Sequence, residues 1–309
     1  MKSSSVSIIV PCKKFDEYVD ECVKECKKLD YKNFEIILLP DVKIKKINKV
    51  RIIPTGNVSP GKKRNIGVKH SKGEFYAFID SDAYPKKNWL KNAIKYFSKP
   101  EVVALGGPGV TPENDSNMQK AGGLVMSSFL MAGMSTRYKT GKINDSDDIH
   151  SCNFIARKSL FKKIKWNEKY WPGEDTLLCL DIKKLGGKML EAQDVVVYHH
   201  RRPLFRKHLA QVSKFGLHRG FFAKKFPETS FRLTYFIPSF FVLFLLLGWV
   251  INRYVYISVI AFYLTLTLLS AFLLGNLKLL FLVWFGIIKT HISYGVFFLI
   301  GFLRKELKR

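Results

Sequence analysis

Residues Phe75 to Asp82 read F-Y-A-F-I-D-S-D, an apolar run that ends in two aspartates spaced i, i+2. In an extended segment this spacing points both side chains the same way. At the carboxyl end of a buried strand, Asp80 and Asp82 would face the crevice in which open α/β sheets bind ligands. Two hard carboxylates in such a place suit Mg2+ or Mn2+, and an ion there usually holds substrate phosphates as well. The same residues, with Pro85 following, also suit a strand that ends in a polar turn, so the pair alone leaves both readings open. A second group is His199-His200-Arg201-Arg202. Arginine clamps phosphate with its planar fork. Whether a histidine completes the metal shell or all four face anionic lipid also stays open. A third is Gly173-Glu174-Asp175, where two carboxylates open a helical segment; a helix dipole favours acidic residues at that end whatever else they do.

The elements that must position these groups alternate in type. Val6–Val10 is a β-branched run closed by Pro11, Phe34–Leu39 a second apolar strand ending at Pro40-Asp41, and Val50–Ile53 a third. Between the first two, Asp16–Lys28 has the periodicity of an amphipathic helix, with Cys22 and Cys26 on one face. Pro60–His70 reads as a helix with Pro at its start and Arg64, Asn65 and Lys69 along it; Gly73 breaks it before the strand into Asp80. Further on, Trp89–Phe97 reads as a helix and Val102–Leu105 as a strand, followed by the tight loop Gly106-Gly107-Pro108-Gly109. Met118–Met134 has moderate helical character, and Asp145–Asp148 is a polar loop. Cys152–Ala156 is a strand, Arg157–Ile164 a helix, and Asp194–Tyr198 a last strand. Strands alternating with helices imply an α/β, Rossmann-like, mostly parallel sheet with helices on both faces.

Near residue 233 the composition changes. From Thr234 to Leu303 there is no Asp or Glu, and the only formal charges are Arg253, Lys278 and Lys289. Thr234–Ile251 and Val255–Leu274 are each long enough to cross a hydrocarbon core of about 30 Å. Leu279–Leu303 is interrupted by Lys289, Thr290 and His291, and a lysine at the bilayer centre is costly, so two short re-entrant pieces compete with one polar span. Before this region, Pro203–Phe226 alternates aromatic and basic residues in the manner of amphipathic helices lying on a membrane surface. The expected organisation is a catalytic domain over 1–202, interfacial helices over 203–232, a transmembrane region over 233–303 and a basic tail over 304–309. Basic residues outnumber acidic ones by 51 to 25. That surplus favours anionic partners; with an apolar tail attached, anionic membrane lipid is expected and nucleic acid is not. Both the main domain and the tail are basic, so both belong on the cytoplasmic face, with an even number of crossings. Five cysteines in no metal-ligand pattern, with no cleavable leader visible, fit reduced thiols.

These motifs occur in an order that resembles family 2 of the glycosyltransferases, the inverting GT-A type. The opening VSIIVPCKKF is similar to that family's first strand. Ser59–Pro85, SPGKKRNIGVKHSKGEFYAFIDSDAYP, resembles its central stretch, in which an Arg-Asn-x-Gly helix precedes the DxD strand. CNFIARKSL (Cys152–Leu160) and Gly173-Glu174-Asp175 resemble its acceptor-side strand and its Glu-Asp motif. The distal part, from HHRRPLF through QVSKFGLHRG to HISYG, resembles ExoA-like membrane-anchored members that build lipid-linked glycans. The acidic pair usual after strand two is reduced here to Asp41, and the Gln-x-x-Arg-Trp motif of processive synthases is absent.

The resemblance implies a membrane-bound hexosyltransferase using a nucleotide-diphospho-sugar and a divalent metal. Asp82 would be the metal ligand, with Asp80 assisting it or contacting the ribose. Pro11, Asp41 and Arg64 would complete the donor site. Asp175 would be the general base. Glu174, His200, Arg201, Arg202 and Arg219 would contact acceptor or phosphate. The acceptor would be a polyprenyl-linked saccharide. The alternatives are a polyprenyl-phosphate monosaccharide synthase and a catalytically inactive membrane scaffold.

Overall fold

The structure is a computed structural model and describes residues 4–131, 137–138, 141 and 143–307. The chain divides into two compact units, Met1–Val110 with Lys139–His199, and Thr111–Tyr138 with His200–Arg309. The expected boundary at 202 lies close to the break at His199. The segment from Thr111 to Tyr138, however, belongs with the C-terminal helices and not with the sheet.

In the first unit the chain runs β1 (Val6–Pro11), α1 (Glu17–Lys27), β2 (Phe34–Leu39), β3 (Arg51–Ile52), α2 (Pro60–His70), β4 (Phe75–Ile79), β5 (Ala83–Pro85), α3 (Trp89–Tyr96), β6 (Val102–Gly106) and β7 (Gly109–Val110). After α4 (Asn117–Ser127), which lies in the other unit, it resumes with β8 (Asn144–Asp145), β9 (Asn153–Arg157), α5 (Glu174–Lys184), β10 (Lys188–Glu191) and β11 (Val197–His199). The stretch after β9, expected as a helix, is a short 3-10 turn over Lys158–Lys162.

The main sheet has the order β3-β2-β1-β4-β9-β6-β10-β8. It is mixed and less parallel than strand–helix alternation suggests. The β1, β2, β3, β4 ladders and β6/β10 are parallel, whereas β9 runs antiparallel to both β4 and β6, and β8 antiparallel to β10. Strand β9 needs no crossover helix, because an antiparallel strand enters from the opposite end.

Alternate residues of β1, β2 and β4 feed two cores. Ile8, Val10, Ile36, Leu38, Ala77 and Ile79 pack with α1 and α3. Ile9, Ile37, Leu39, Tyr76 and Phe78 pack with Trp166 and with Leu178 and Ile182 of α5. This period of two places the residue after Ile79 on the α5 side. At Gly67 of α2 a Cβ would lie 2.5 Å from Ile9 Cγ2, so glycine is what lets α2 lie close on β1.

The second unit holds α4 (Asn117–Ser127), α6 (Arg206–Lys225), the single turn α7 (Pro227–Ser230), α8 (Leu233–Ile251), α9 (Arg253–Leu273) and α10 (Leu280–Leu303). Helix α6 lies parallel along α10, from His208 Nε2 and Thr290 Oγ1 at 2.9 Å to Lys224 Nζ donating to Arg304 O at 2.6 Å. Glycines permit this approach: a Cβ at Gly220 would sit 2.0 Å from Phe298 O, and one at Gly301 2.0 Å from Leu217 O. The apolar residues Val212, Phe221 and Phe222 of α6 are buried. The apolar stripe expected to face a membrane is therefore used inside the unit.

The stretch in which two re-entrant pieces competed with one polar span is one unbroken helix, α10. Its interrupting polar groups are met by protein: Thr290 by His208, and His291 by the Tyr263 hydroxyl and Leu130 O. By length and composition α8, α9 and the segment Leu277–Leu303 could each cross a membrane. They do not pair as an up-down-up bundle. Ser239 near the start of α8 bonds Gly295 O at 3.0 Å, and Phe236 packs on Phe302 near the end of α10. Start therefore meets end, whereas an up-down-up bundle would set start beside start.

Candidate active site

Strand β4 ends in a hydrogen-bonded turn, with Ala83 N donating to Asp80 O at 3.0 Å. The turn reading and the ligand reading of Asp80 and Asp82 are thus compatible. A three-stranded sheet, β5-β11-β7, adds a third group. Pairing of His199 with Ala83 in the β11/β5 ladder sets the imidazole beside Asp82, Nε2 to Oδ1 at 3.3 Å. One ligand atom each from Asp80, Asp82 and His199 lies within 4.8 Å of the others. Two carboxylates and an imidazole fit a divalent ion that accepts oxygen and nitrogen donors.

The second carboxylate group is tied to the first by one guanidinium. Arg64, nearly fully buried, donates from Nη2 to Asp80 Oδ1 at 2.8 Å and from Nη1 to Glu174 Oε1 at 2.7 Å. Nη2 also reaches Ser151 Oγ at 2.8 Å, and the guanidinium stacks over Trp166 at 4.8 Å. The next residue braces this arrangement. Asn65 donates to Trp166 O at 2.9 Å and accepts from Trp166 N at 3.0 Å, which holds the ring under Arg64. The Arg-Asn-x-Gly run thus has a local reason: Arg64 bridges carboxylates, Asn65 fixes the loop beneath, and Gly67 seats the helix. Burial works against the charge on Arg64, but Asp80, Glu174 and Asp175 outweigh it and hold its pKa above the ordinary arginine value. Arg64, expected in the donor site, is thus engaged by the carboxylates of Asp80 and Glu174. Glu174 is equally enclosed, and its carboxyl is pushed up to about 7 by burial and by neighbouring Asp175, against the pull of Arg64. It faces the interior, not an open acceptor groove.

Asp175 opens α5 after Gly173, whose φ of 110° suits glycine. Its carboxylate accepts from Ser151 N at 3.3 Å and from Thr176 N at 2.9 Å. At the ends of β1 and β2, Lys63 donates to Cys12 O at 2.7 Å, to Leu39 O at 3.1 Å and to the Asp41 carboxylate. All three of its protons are used, and Asp41 is held at the strand edge by a buried ammonium. Pro11 pairs with Leu39 in the same ladder. Burial pushes the neighbouring Cys12 thiol up to about 12, which makes it inert.

The remaining expected contacts lie in the helical unit. His200 is buried against Asp115, Nδ1 to Oδ1 at 2.5 Å, and Arg201 N donates to Asp115 Oδ2 at 3.3 Å. The Arg201 guanidinium lies over Tyr138. Arg202 is exposed. Arg219 donates to Ser230 Oγ at 3.3 Å and lies over Tyr235. Of the two histidines, it is His199 that joins the aspartates.

A family model described as Glycosyl transferase family 2 matches residues 7–164, just over half of the chain. The chain belongs to that family. The family 2 assignment makes it a glycosyltransferase, and its mixed sheet is of the GT-A type. One relative, the dolichyl N-acetyl-alpha-D-glucosaminyl phosphate 3-beta-D-2,3-diacetamido-2,3-dideoxy-beta-D-glucuronosyltransferase of Methanococcus voltae, is 24% identical over 266 residues, covering 80% of this chain and 81% of that one. Another, the poly(ribitol-phosphate) beta-N-acetylglucosaminyltransferase TarS of Staphylococcus aureus, is 27% identical over 163 residues, covering 46% of this chain and 28% of its own length. Among solved structures, the mannosyltransferase PcManGT from Pyrobaculum calidifontis, in complex with GDP-Man and Mn2+, superposes with a TM-score of 0.59. It covers 98% of this chain and 88% of its own at 15% identity, a likeness of fold.

Several contributors escaped the sequence reading. Lys63, Ser151, Trp166 and Asp115 carry no motif of their own, and their roles arise from partners many residues away. His199 was visible only as one of a His-His pair, and strand register chooses between the two.

Proposed function

We propose that this glycosyltransferase transfers a sugar, with inversion, from a nucleotide-diphospho-sugar to a polyprenyl-linked saccharide at the cytosolic face of a membrane. The observation that carries this reading is the single guanidinium joining the Asp80 end of the metal-ligand group to the Glu174-Asp175 turn. It fixes a candidate donor site and a candidate base relative to one another, as an in-line displacement needs. A divalent ion held by Asp80, Asp82 and His199 would supply positive charge to the leaving diphosphate. An imidazole among the donors suits Mn2+ better than Mg2+. Asp41, locked by Lys63, would receive the nucleoside at the ends of β1 and β2. Asp175 would take the proton of the acceptor hydroxyl. Arg64 would position both carboxylate groups without touching substrate.

The Methanococcus voltae relative, named for a dolichyl-phosphate-linked sugar acceptor, supports a lipid-linked saccharide over a bare lipid phosphate. The three apolar helices support membrane attachment. The pairing of α8's start with α10's end supports two crossings by α8 and α9, which leaves both termini on the cytosolic side. The test incubates membranes containing the chain with a panel of radiolabelled nucleotide sugars and extracts the lipid. Label should enter a lipid-linked saccharide for at least one donor, and not with Asp175→Asn. Label on a monosaccharide lipid phosphate would favour the synthase alternative, and no transfer with any donor would favour a scaffold.

A further inference from the structure

Lys289 is the only formal charge in α10, and no acidic residue occurs from Thr234 to Leu303. Its side chain is exposed, with the ammonium over the ring of Phe205 at 4.9 Å. The chain entering α6 is pinned to α10 on both sides of this contact. At Gly286, one turn before Lys289, a Cβ would lie 3.0 Å from Leu204 Cδ2, so glycine admits that side chain. At Thr290, the next residue, His208 Nε2 bonds at 2.9 Å. Phe205 between them has a φ of 71°, which a non-glycine residue keeps only where its surroundings impose it. The turn held beside Lys289 runs directly into Arg206 and Lys207, both exposed.

Acidic residues in this unit are confined to Glu113, Asp115, Glu228 and Glu306, and Asp115 is already engaged by His200 and Arg201. A lysine amid an apolar helix needs an anion or a route to water, and the sequences of α8, α9 and α10 contain no carboxylate. The anion that a membrane supplies is phosphate. Lysine binds it as a point charge, and neighbouring arginine adds a fork.

We infer that Lys289, with Arg206 and Lys207, forms a binding site for a phosphate carried on a lipid, the isoprenoid lipid of the acceptor. This rests on the lipid-linked reading for its ligand class. It is separable by experiment, because binding is read without turnover. The purified full chain is offered polyprenyl phosphate, the uncharged polyprenol and phosphatidylglycerol in detergent, and retained lipid is measured by native mass spectrometry. Wild type should retain polyprenyl phosphate at about tenfold lower concentration than polyprenol, the size of one charge-assisted contact. Lys289→Met should erase that difference and Lys289→Arg should keep it. Removing a charge from an apolar helix does not endanger folding, and an unchanged thermal midpoint checks this. Phosphatidylglycerol that fails to compete assigns the site to isoprenoid phosphate; equal competition keeps a lipid-phosphate site but gives it to bulk bilayer lipid. Equal retention of phosphate and alcohol by wild type, or full retention by Lys289→Met, overturns the inference. Failure of the chain to bind any nucleotide sugar would end the glycosyltransfer mechanism and leave this lipid result standing.

Discussion

Asp82→Asn should remove most transfer while leaving the chain folded, because this carboxylate faces His199 at the strand end and lies outside the apolar cores. Loss of one such electrostatic group lowers turnover by about 10²–10³; full activity of the variant in excess EDTA would contradict the metal role. Glu174 should leave a signature in stability. Its folded value of about 7 lies above the ordinary 4.5, so the native state holds a proton that the unfolded chain has released. The stability contributed by this group is then fully present at low pH and is lost as pH rises through that window, by up to about 3 kcal/mol. Glu174→Gln should flatten this slope in thermal unfolding between about pH 5 and about pH 8; an unchanged slope would assign it to other groups. At this scale the sequence was most legible where chemistry sits in adjacent residues, as in Asp80-Ser81-Asp82 and Glu174-Asp175. It was least legible where roles depend on partners. Arg64 read as a donor-site contact reaching phosphate, yet burial makes it a bridge between carboxylates and makes Lys63 a clamp on Asp41.

Among the elements, α2 shows how a short motif acts through packing. Asn65→Ala should free the Trp166 loop, loosen the stacking on Arg64, and reduce turnover more than donor affinity. Steady-state kinetics separates the two, and a change confined to donor KM would point to a different role. The α6–α10 pair depends on backbone approach. Gly220→Leu places atoms where Phe298 O lies 2.0 Å from the Cβ position, and overpacking of this kind costs about 1–3 kcal/mol or more. A lower thermal midpoint is expected; an unshifted one would mean that the helices can part freely. The hydrophobic period gave β1, β2, β4, α1, α2 and α3 nearly to the residue, but not the short strands β5, β7, β8 and β10. It could not give the antiparallel insertion of β9 or the register that brings His199 to Ala83, because strand order is a property of pairings far apart in sequence. It also assigned the stripe of α6 to lipid, since a face that packs on protein and one that packs on lipid have the same composition. Gly216 and Gly220 were the available signal for protein.

For the whole molecule, the composition break near residue 233 marked the apolar helices correctly, but it did not show that Thr111–Tyr138 joins them. That segment lacks the long uninterrupted apolar run of the C-terminal helices and is recruited by specific contacts, such as Val125 against Gly286 and Ser128 against Ser270 at 2.7 Å. If α8 and α9 alone cross, a cysteine placed in the tail and one placed in the sheet unit should be labelled by an impermeant reagent from the same side. Labelling from opposite sides would require α10 to cross as well. The measurement that bears most directly on the mechanism is a donor titration of purified Asp175→Asn with a lipid-linked acceptor. A base acting on the acceptor hydroxyl predicts turnover lower by about 10²–10⁴ with donor affinity nearly unchanged. Turnover kept at saturation, with donor affinity lost, would place Asp175 in the donor site and contradict the account.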